Sequence, residues 1–262
     1  MNVAFVYDGG NADGTKGGAE LAMEEFAATC PASVAITDVD EAEVVVVGNC
    51  VTIHPEIIDR FDGKRVVRFH HDLARYEHPV LLEWLDENAE HVFTSPLHKE
   101  RYKVAWTTAN KMRDWPIIPP CPELSRFKPN RETRRHGKRQ GTVTVGTWQN
   151  PGKGGTLIAE TLEAEGQVAD CFGTGVYAPQ GPHIRFMGEV EPGALPQIRW
   201  QYERFMFLPT AVEPFGRCVA EAWRAGCEIV TNGYVGAKWW IENQPDKLDS
   251  CAEDFWGLIC EG

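Results

Sequence analysis

Two glutamates eight positions apart carry the most specific chemical signal in this 262-residue sequence. Glu213 lies in a loop that follows an apolar strand pattern, and Glu221 lies two turns into the helix pattern that begins after that loop. Two carboxylates so placed can accept hydrogen bonds from vicinal hydroxyls, while the N–H groups and positive dipole of the helix start suit a phosphate. A structural interpretation stays open, in which Glu213 compensates the helix dipole and Glu221 is solvated.

The overall charge requires that any phosphate be bound locally. Lys+Arg 26 against Asp+Glu 38 gives a net charge of −12, so the field of the whole molecule repels polyanions. Lys153 begins a glycine-rich helix start, where its ammonium and the helix dipole would act on the same anion. The segment is not a Walker motif, because Thr147 stands where Gly is needed and Gly154 where Ser or Thr is needed. The glycines at positions 9, 10, 14, 17 and 18 do not form G-x-G-x-x-G, so nicotinamide chemistry is also disfavoured.

The elements that must position these residues alternate between short β-branched runs and amphipathic stretches of helical length, which predicts an α/β protein with parallel sheets. The continuous apolar run Val44–Val47 indicates a central strand buried on both faces. A proline-rich and charged run, 116–141, interrupts the alternation near Leu124, so we predict domains 1–124 and 125–262. Two such sheets would leave a cleft between their strand carboxyl ends, where α/β proteins bind ligands.

The pattern places elements of both types in each half of the chain. The predicted strands are 3–7, 33–36, 43–47, 65–69, 91–94, 116–118, 142–146, 168–172, 184–187, 204–208 and 228–230. The predicted helices are 19–28, 55–61, 80–87, 97–105, 154–165, 196–202, 216–225, 237–242 and 252–260.

Cysteine spacing and the length of apolar runs indicate the environment. The eight cysteines contain no C-x-x-C pair, which is typical of reduced thiols rather than of disulfides or a zinc site. No H-E-x-x-H or comparable ligand spacing occurs, so we expect no bound metal. The apolar runs are strand-sized, and the first residues begin a strand pattern rather than a signal peptide. We therefore expect a cytoplasmic protein without membrane insertion.

The segment EPFGRCVAEAWRAGCEIV, 213–230, resembles the E-x7-E signature of retaining GT-B glycosyltransferases, in particular family 4. Eight elements of that pattern fall in register, namely Glu213, Pro214, Phe215, Gly216, Glu221, Ala222, Gly226 and the following strand. The resemblance implies two Rossmann-like domains facing across a cleft, an acceptor-side N-terminal domain and a nucleotide-sugar-binding C-terminal domain. It also implies that Glu213 contacts the donor sugar, Glu221 the ribose, and the amides of Phe215 and Gly216 the diphosphate.

Two further segments of the second half resemble the same family. VTVGTWQNPGKGG, 143–155, is similar to its V-G-R-x-x-x-x-K-G loop, which places Lys153 on the donor diphosphate. Thr147 stands where the family usually has Arg, and Arg217 is our first candidate for the missing guanidinium. IRFMGEV, 184–190, resembles F-x-G-x-V, which places the nucleobase near Val190.

In the first half, the G-G-A-E run resembles the family's first loop and places Gly17 and Gly18 beside the diphosphate and acceptor. RFHHDLARYEHP, 68–79, resembles the H-D turn after the fourth strand. It assigns to His71, with Asp72, the positioning of the transferred sugar or acceptor, and His70 could take the same role. A structural hydrogen-bonding role is the alternative for a histidine at a strand end.

One dense basic stretch interrupts the acidic chain. It is either a solvated linker or a contact with the phosphates of an acceptor. Its members are Lys128, Arg131, Arg134, Arg135, Lys138 and Arg139. A compact chain of this type resembles bacteriophage-encoded glycosyltransferases, which makes hydroxymethylated bases of phage DNA one candidate acceptor and would place the protein in the host cytoplasm.

The resemblance thus implies a retaining hexosyltransferase that moves a sugar from a nucleoside-diphosphate sugar, UDP-hexose first, to a hydroxyl acceptor. It implies no bound cofactor and no essential metal, with the nucleotide sugar as co-substrate. Two alternatives stay open, a GT-B-type nucleotide-sugar epimerase and a non-catalytic nucleotide-sugar or DNA-binding protein. The sequence leaves the sugar, the acceptor and the oligomeric state open.

Overall fold

The computed structural model describes residues 1–9, 17–49, 52–73, 78–105, 115–130 and 139–261. The chain divides into two compact units. Unit 1 contains Met1–Pro122 and Pro245–Gly262, and unit 2 contains Glu123–Gln244. Each unit is built on a five-stranded sheet in which the paired strands run parallel, as the predicted α/β class requires.

The strands are β1 (Asn2–Val6), β2 (Ala35–Ile36), β3 (Val44–Val47), β4 (Arg65–Phe69), β5 (Glu90–Val92), β6 (Thr142–Thr147), β7 (Ala169–Thr174), β8 (Ile184–Gly188), β9 (Arg204–Phe207) and β10 (Glu228–Thr231). The α-helices are α1 (Gly18–Ala28), α2 (Pro79–Asn88), α3 (Pro96–Ala105), α4 (Gly155–Glu165), α5 (Leu195–Arg199), α6 (Arg217–Arg224), α7 (Gly236–Asn243), α8 (Pro245–Asp249) and α9 (Cys251–Glu261).

In unit 1 the strand order is β2-β1-β3-β4-β5. All four residues of β3 are buried, which confirms the expectation from its unbroken valine run. A core cluster joins Val45 and Val47 to Leu81 and Leu85 of α2 and to Phe61. A β-branched central strand and an amphipathic helix thus supply the two halves of this core, as their periodicities predict.

The C-terminal segment belongs to unit 1, although we predicted one domain over 125–262. Phe255 of α9 stacks on Phe26 of α1 with ring centroids 4.1 Å apart, and the Trp256 indole N–H donates to the Phe26 carbonyl at 3.2 Å. The Arg65 guanidinium donates to the Ile259 carbonyl at 2.9 Å, close to the end of α9. The helical pattern predicts that α9 forms, but it carries no information on which sheet the helix covers.

In unit 2 the strand order is β10-β9-β6-β7-β8. The chain runs outward from β6 through β7 to β8, then returns to the other side of β6 to form β9 and β10. The order therefore reverses between β6 and β9, and loops that leave the carboxyl ends of two such strands diverge and create a ligand site. This position is called the switch point below.

Several elements differ from their predictions, and three of them show the physical reasons or the extent. Residues 55–61 form a 3₁₀ helix, whose first turn is capped by the His54 imidazole accepting from the Glu56 N–H at 3.4 Å. The expected strand 116–118 is reduced to one parallel bridge between Phe93 and Ile117, because prolines at 116, 119 and 120 cannot donate to a ladder. Helix α5 ends at Arg199 rather than near 202.

Candidate active site

The carboxyl ends of β6 and β9 bring Lys153 and Glu213 into contact across the switch point. The Lys153 ammonium donates to the Glu213 carboxylate, and their side chains are 31% and 21% exposed. The two loops are joined by their backbones, because the Gly152 carbonyl accepts from the N–H groups of Thr210 at 2.9 Å and Ala211 at 3.3 Å. Residues 60 positions apart in sequence therefore meet because their strands are neighbours.

The Lys153 loop is shaped by a short 3₁₀ turn, Pro151–Lys153. The Asn150 side chain caps it by accepting from the Gly152 N–H at 2.7 Å. Gly154 then takes a φ of +78°, and a Cβ at this position would lie 2.6 Å from the Leu208 carbonyl carbon and closer still to its oxygen. Only glycine fits here, because the conformation is left-handed and the end of β9 packs directly against it.

Glu213 is held by its own backbone. Its N–H donates to the Tyr234 carbonyl at 2.7 Å, and its carbonyl accepts from the Gly236 N–H at 3.0 Å, which forms a parallel bridge to Val235. The carboxylate is thereby fixed between the loops that follow β9 and β10. Lys153 and Glu213 form a preorganised pair rather than two side chains that meet by chance on a flexible surface.

Glu221 is buried, so the solvated interpretation of this residue is wrong. Its carboxylate lies 2.8 Å from the Arg199 guanidinium and 3.5 Å from the Nε of Arg217. Arg199 is 1% exposed and also donates to the Cys218 carbonyl. Its guanidinium carbon lies 5.3 Å from the ring centroids of Phe127 and Phe205. Sequence analysis missed Arg199, and the sequence of α5, which ends in this arginine, carries no signal that it is buried.

These side chains make the site locally positive. Lys153, Arg199 and Arg217 carry three positive charges and the two glutamates carry two negative ones, so the formal sum is +3 − 2 = +1. The half-buried Cys218 lies among them. Desolvation of its thiol raises its pKa to about 12, against an opposing effect of Arg199, while Glu213 and Glu221 add smaller contributions in the same direction as desolvation. Cys218 is therefore a neutral spacer between charged groups, and an anion meets a favourable field here despite the net charge of −12.

The start of α6 faces the same switch point. Gly216 caps the helix with a φ of +81°, and an added Cβ would lie 2.8 Å from a methyl group of Val235. The Phe215 side chain is buried, and its carbonyl accepts from the Ala237 N–H at 2.6 Å. The first N–H groups of an α-helix have no intrahelical acceptor, so the start of α6 offers donors to an anion.

Two other predicted positions of unit 2 flank this region. Thr147 ends β6 with an exposed side chain, and Val190 is half-buried just after β8. Trp148 is fully buried, and its indole N–H donates to the Phe172 carbonyl at 3.3 Å. Trp148 is therefore part of the core and not a surface on which a sugar or base stacks.

In unit 1, His71 and Asp72 follow β4. The Asp72 carboxylate accepts from the Asn49 side-chain amide at 3.2 Å, and the Asp72 carbonyl accepts from the Nε2–H of His98 at 3.1 Å. The His71 ring is half-buried, with its centroid 5.0 Å from that of Phe69. Asn49 and His98 were not predicted, and their roles depend on strand neighbours that the sequence pattern does not specify.

His98 is a neutral anchor in this turn. Its Nε2 must donate because a carbonyl only accepts, so its Nδ1 accepts from the Thr94 hydroxyl at 2.9 Å. Burial lowers the pKa of His98 to about 4, although the bond to the Asp72 carbonyl acts in the opposite direction. His70 is also buried, 2.7 Å from the ring nitrogen of His91, and burial holds the pKa of His70 well below its ordinary value. These histidines are structural hydrogen-bonding groups near neutral pH.

Gly17 and Gly18 are placed at the start of α1. Gly17 is the N-cap, and its carbonyl accepts from the Leu21 N–H at 3.2 Å. A Cβ on Gly17 would lie 2.7 Å from a carboxylate oxygen of Glu20. The predicted donor contact of these glycines stays a prediction, and the acidic first turn makes this helix start less attractive to a phosphate than that of α6.

No family model and no curated protein matches this chain. Solved structures do match. HepE of Anabaena, in complex with UDP and glucose, has a TM-score of 0.66 at 14% identity over 98% of this chain and 95% of HepE. AviGT4, a glycosyltransferase involved in avilamycin A biosynthesis, has a TM-score of 0.67 at 13% identity over 97% and 88%. WaaG, a glycosyltransferase involved in lipopolysaccharide biosynthesis, has a TM-score of 0.58 at 13% identity over 97% and 90%.

The chain has the GT-B fold. The predicted fold class is confirmed by these similarities and by the two Rossmann-like parallel sheets. At sequence identities of 13–14%, these structural similarities establish the likeness of fold alone. The chemistry of this chain has to be argued from its own residues.

The predicted phosphate-binding stretch is only partly tested by this GT-B structure. Arg131, Arg134, Arg135 and Lys138 lie outside the described residues. Arg139 is described, and its guanidinium donates to the carbonyls of Trp200, Gly226 and Ala225. These three bonds use three of the five N–H groups of Arg139, which caps the carboxyl end of α6, and its contact with an acceptor phosphate stays a prediction.

Within the described part of this GT-B chain, no cluster of three His, Cys, Asp or Glu side chains could hold a metal ion. The helices of the same residues are too short to span a bilayer, since long ones such as α1 and α4 have 11 residues. The seven cysteines that the structure describes are free thiols.

Proposed function

We propose that this protein is a retaining glycosyltransferase that moves a sugar from a nucleoside-diphosphate sugar to a hydroxyl acceptor. The observation that carries the proposal is the preorganised Lys153–Glu213 pair at the switch point of unit 2. A cation and a carboxylate side by side match the two ends of such a donor, a diphosphate and a sugar with vicinal hydroxyls. The presence of UDP and glucose in HepE, which shares the fold, supports UDP-glucose as the first donor to test.

In the proposed complex, the donor replaces the contact between Lys153 and Glu213 with contacts to each of them. When a diphosphate arrives, the Lys153 ammonium turns from Glu213 to a phosphate oxygen, and the Glu213 carboxylate accepts hydrogen bonds from the sugar. The helix start at Gly216 adds backbone donors to the same anion. Because these groups are positioned beforehand, they stabilise the leaving group without a large reorganisation.

Glu221 is proposed to bind the ribose of the nucleotide. Its two cationic partners make this possible without leaving the carboxylate unpaired, because Arg199 at 2.8 Å remains when Arg217 moves away. Arg217 lies in the first turn of α6 and is then available to the diphosphate. This supports Arg217 as the substitute for the guanidinium that Thr147 cannot supply.

In the proposed reaction the bond between the anomeric carbon and the diphosphate oxygen breaks, and the electron pair leaves on that oxygen. The acceptor oxygen bonds to the anomeric carbon from the same face, which retains its configuration, and the acceptor proton passes to the departing phosphate. For unit 1 we propose that His71 and Asp72 position the sugar or acceptor. The acceptor itself is a hydroxyl compound, and hydroxymethylated DNA is one member of the panel to be tested.

The test incubates the full chain with a panel of nucleotide sugars, with and without glycans and hydroxymethylated DNA, and measures nucleotide release and acceptor mass. We expect release that depends on an acceptor and a product of unchanged anomeric configuration. Glu213→Gln should lower turnover at least ~10²-fold, the scale of losing one transition-state contact. Glu163→Gln, an exposed carboxylate on α4, is the matched control and should leave turnover unchanged.

Each other outcome has a defined meaning. Unchanged turnover in Glu213→Gln would remove this residue from the site. Conversion of the donor without an acceptor would indicate an epimerase. Donor binding without release under any condition would indicate a non-catalytic binding protein.

A further inference from the structure

Asn232 connects two of the loops that meet at the Lys153–Glu213 pair. It lies directly after β10 and is half-buried. Its side-chain amide donates to the Pro209 carbonyl at 2.8 Å, and its side-chain oxygen accepts from the Tyr234 N–H at 3.1 Å. Because a carbonyl only accepts and an N–H only donates, these partners determine the orientation of the amide. One side chain therefore joins the loop after β9 to the loop after β10.

The two bonds of Asn232 differ in what they require of the residue. The bond to Tyr234 closes an Asx turn, which asparagine forms with the backbone two residues further on. The bond to Pro209 spans 23 positions of sequence and connects loops that follow neighbouring strands. A serine hydroxyl could also close the turn, but serine has no amide to donate to Pro209. The contact between the loops is therefore what requires an amide side chain here.

The loop that carries Glu213, residues 209–213, is attached at its start, its middle and its end. At its start, the first carbonyl accepts from Asn232. In its middle, two N–H groups donate to the Gly152 carbonyl, and at its end the Glu213 N–H donates to the Tyr234 carbonyl at 2.7 Å. The contacts in the middle and at the end join backbone to backbone, whereas the contact at the start depends on a side chain. A substitution of Asn232 can therefore remove it selectively.

Tyr234 transmits the effect of Asn232 to Glu213. Its N–H is held by the Asn232 side chain, and its carbonyl accepts from the Glu213 N–H. The Tyr234 side chain is 44% exposed, so its backbone bonds restrain this residue more than packing does. Loss of the Asn232 amide would loosen both the start of the Glu213 loop and the carbonyl that holds its end. The Glu213 carboxylate would then be positioned less precisely.

We propose that Asn232 is a positioning residue, which orients Glu213 by joining the loops after β9 and β10 and does not itself touch the substrate. Asn232 has this role only if Glu213 contacts the donor sugar, so the inference rests on the proposed function. The Lys153 loop has restraints of its own, namely the Asn150 cap and the packing of Gly154 against the end of β9. The diphosphate contact therefore depends on Asn232 much less than the sugar contact does.

The experiment measures kcat with the donor and acceptor that the panel identifies, and UDP affinity by titration calorimetry. Asn232→Ala should lower kcat at least ~10-fold, because a displacement of ~1 Å in a positioned group suffices for such a loss. UDP affinity should stay unchanged, since UDP has no sugar for Glu213 to contact. Asn232→Ser, which can keep the turn, should show the same loss of kcat. Asn243→Ala is the matched control and should change neither quantity, because its amide also donates to a carbonyl at 2.8 Å, that of Trp239, but within α7.

A double-mutant cycle distinguishes positioning from a general structural role. In a Glu213→Gln background, Asn232→Ala should have little further effect on kcat, because it acts through the Glu213 carboxylate. A structural role would instead lower UDP affinity together with kcat, and its effect would add to that of Glu213→Gln.

The remaining outcomes separate this inference from the proposed function. Wild-type kcat in Asn232→Ala, or additive losses in the cycle, overturns the positioning role and leaves the proposed function intact. Unfolding of both Asn232 variants, seen by circular dichroism, would assign a structural role and overturn the positioning role as well. A wild-type protein that neither transfers a sugar nor releases a nucleotide overturns the proposed function and, with it, the role of Asn232.

Discussion

Gly154 and Gly166 flank the same helix, and replacing each by alanine separates backbone strain from loop packing at the proposed site. Both residues have left-handed φ values, +78° and +62°. Around Gly166 nothing lies within 4 Å of an added Cβ. At Gly154 the Cβ would lie 2.6 Å from the Leu208 carbonyl carbon and 3.1 Å from the Pro209 Cα. Both alanine substitutions therefore have the cost of a left-handed backbone conformation, whereas only Gly154→Ala also has the cost of a steric clash.

The shared cost is the left-handed conformation of an alanine, about 1–2 kcal/mol. Gly154→Ala must in addition move the end of β9 by roughly 1 Å to restore an ordinary carbon–carbon separation of ~3.5 Å. Forcing an atom into a packed region costs about 1–3 kcal/mol. We therefore expect Gly154→Ala to lower the free energy of unfolding of unit 2 by about 2–5 kcal/mol, and Gly166→Ala by only about 1–2 kcal/mol.

Urea unfolding followed by fluorescence and circular dichroism measures the difference. With a slope of about 2 kcal/mol/M, an extra 2 kcal/mol moves the midpoint by about 1 M. The packing cost also reaches the site, because Leu208 and Pro209 precede the two N–H groups that bond the Gly152 carbonyl next to Lys153. Folded Gly154→Ala should therefore bind UDP more weakly, while Gly166→Ala should bind it normally. Equal midpoints for the two variants would refute the packing argument, and equal UDP affinity would refute the link to the site.

Three further predictions follow from the described contacts. Arg199→Met leaves a buried carboxylate with one partner and should lower the free energy of unfolding by about 3 kcal/mol, whereas adding Glu221→Met should recover much of this loss in the same urea assay. Because the pKa of His98 is lowered to about 4, the unfolded chain binds a proton at this histidine below pH ~6.5, whereas the native protein binds it only near pH 4, and the free energy of unfolding decreases as the pH falls through this window. His98→Gln should remove ~3 kcal/mol of that decrease, and identical pH profiles for the two proteins would contradict the assignment. Burial raises the pKa of the Cys171 thiol to about 12, so at pH 8 mass spectrometry should find Cys171 alkylated only after unfolding, in contrast to the exposed Cys260.

The order of elements was predictable because local periodicity determines it. The buried run Val44–Val47 and the helix 155–165 lie within one residue of their expected bounds. The pairing of Lys153 with Glu213 follows less directly, since the sequence indicates two loops after two strands but not that β6 and β9 are neighbours. The motif resemblance supplied that neighbourhood, and the sheet order agrees with it.

The missed features depend on contacts between distant parts of the chain. Arg199 is buried only because Phe127, Phe205 and Glu221 surround it, and none of these lies in its own helix. A pattern of helical hydrophobicity cannot distinguish such a cation from one on a solvated face. The same limit applies to α9, whose apolar face was predicted but whose partner sheet was not.

The buried charges around Glu221 bear on how a site without an arginine at position 147 can hold a diphosphate. A carboxylate with a single buried partner would resist losing it, because an unpaired buried charge costs several kcal/mol. Glu221 has two, and the pair with Arg199 is the closer one, at 2.8 Å against 3.5 Å for Arg217. In the proposed donor complex, release of Arg217 toward a phosphate would leave a paired carboxylate behind, and the ribose hydroxyls would take the vacated position on it. In the proposed donor complex, Arg199 keeps Glu221 paired while Arg217 contacts the diphosphate, so the two arginines should show strongly coupled effects on UDP affinity although only Arg217 would touch the nucleotide.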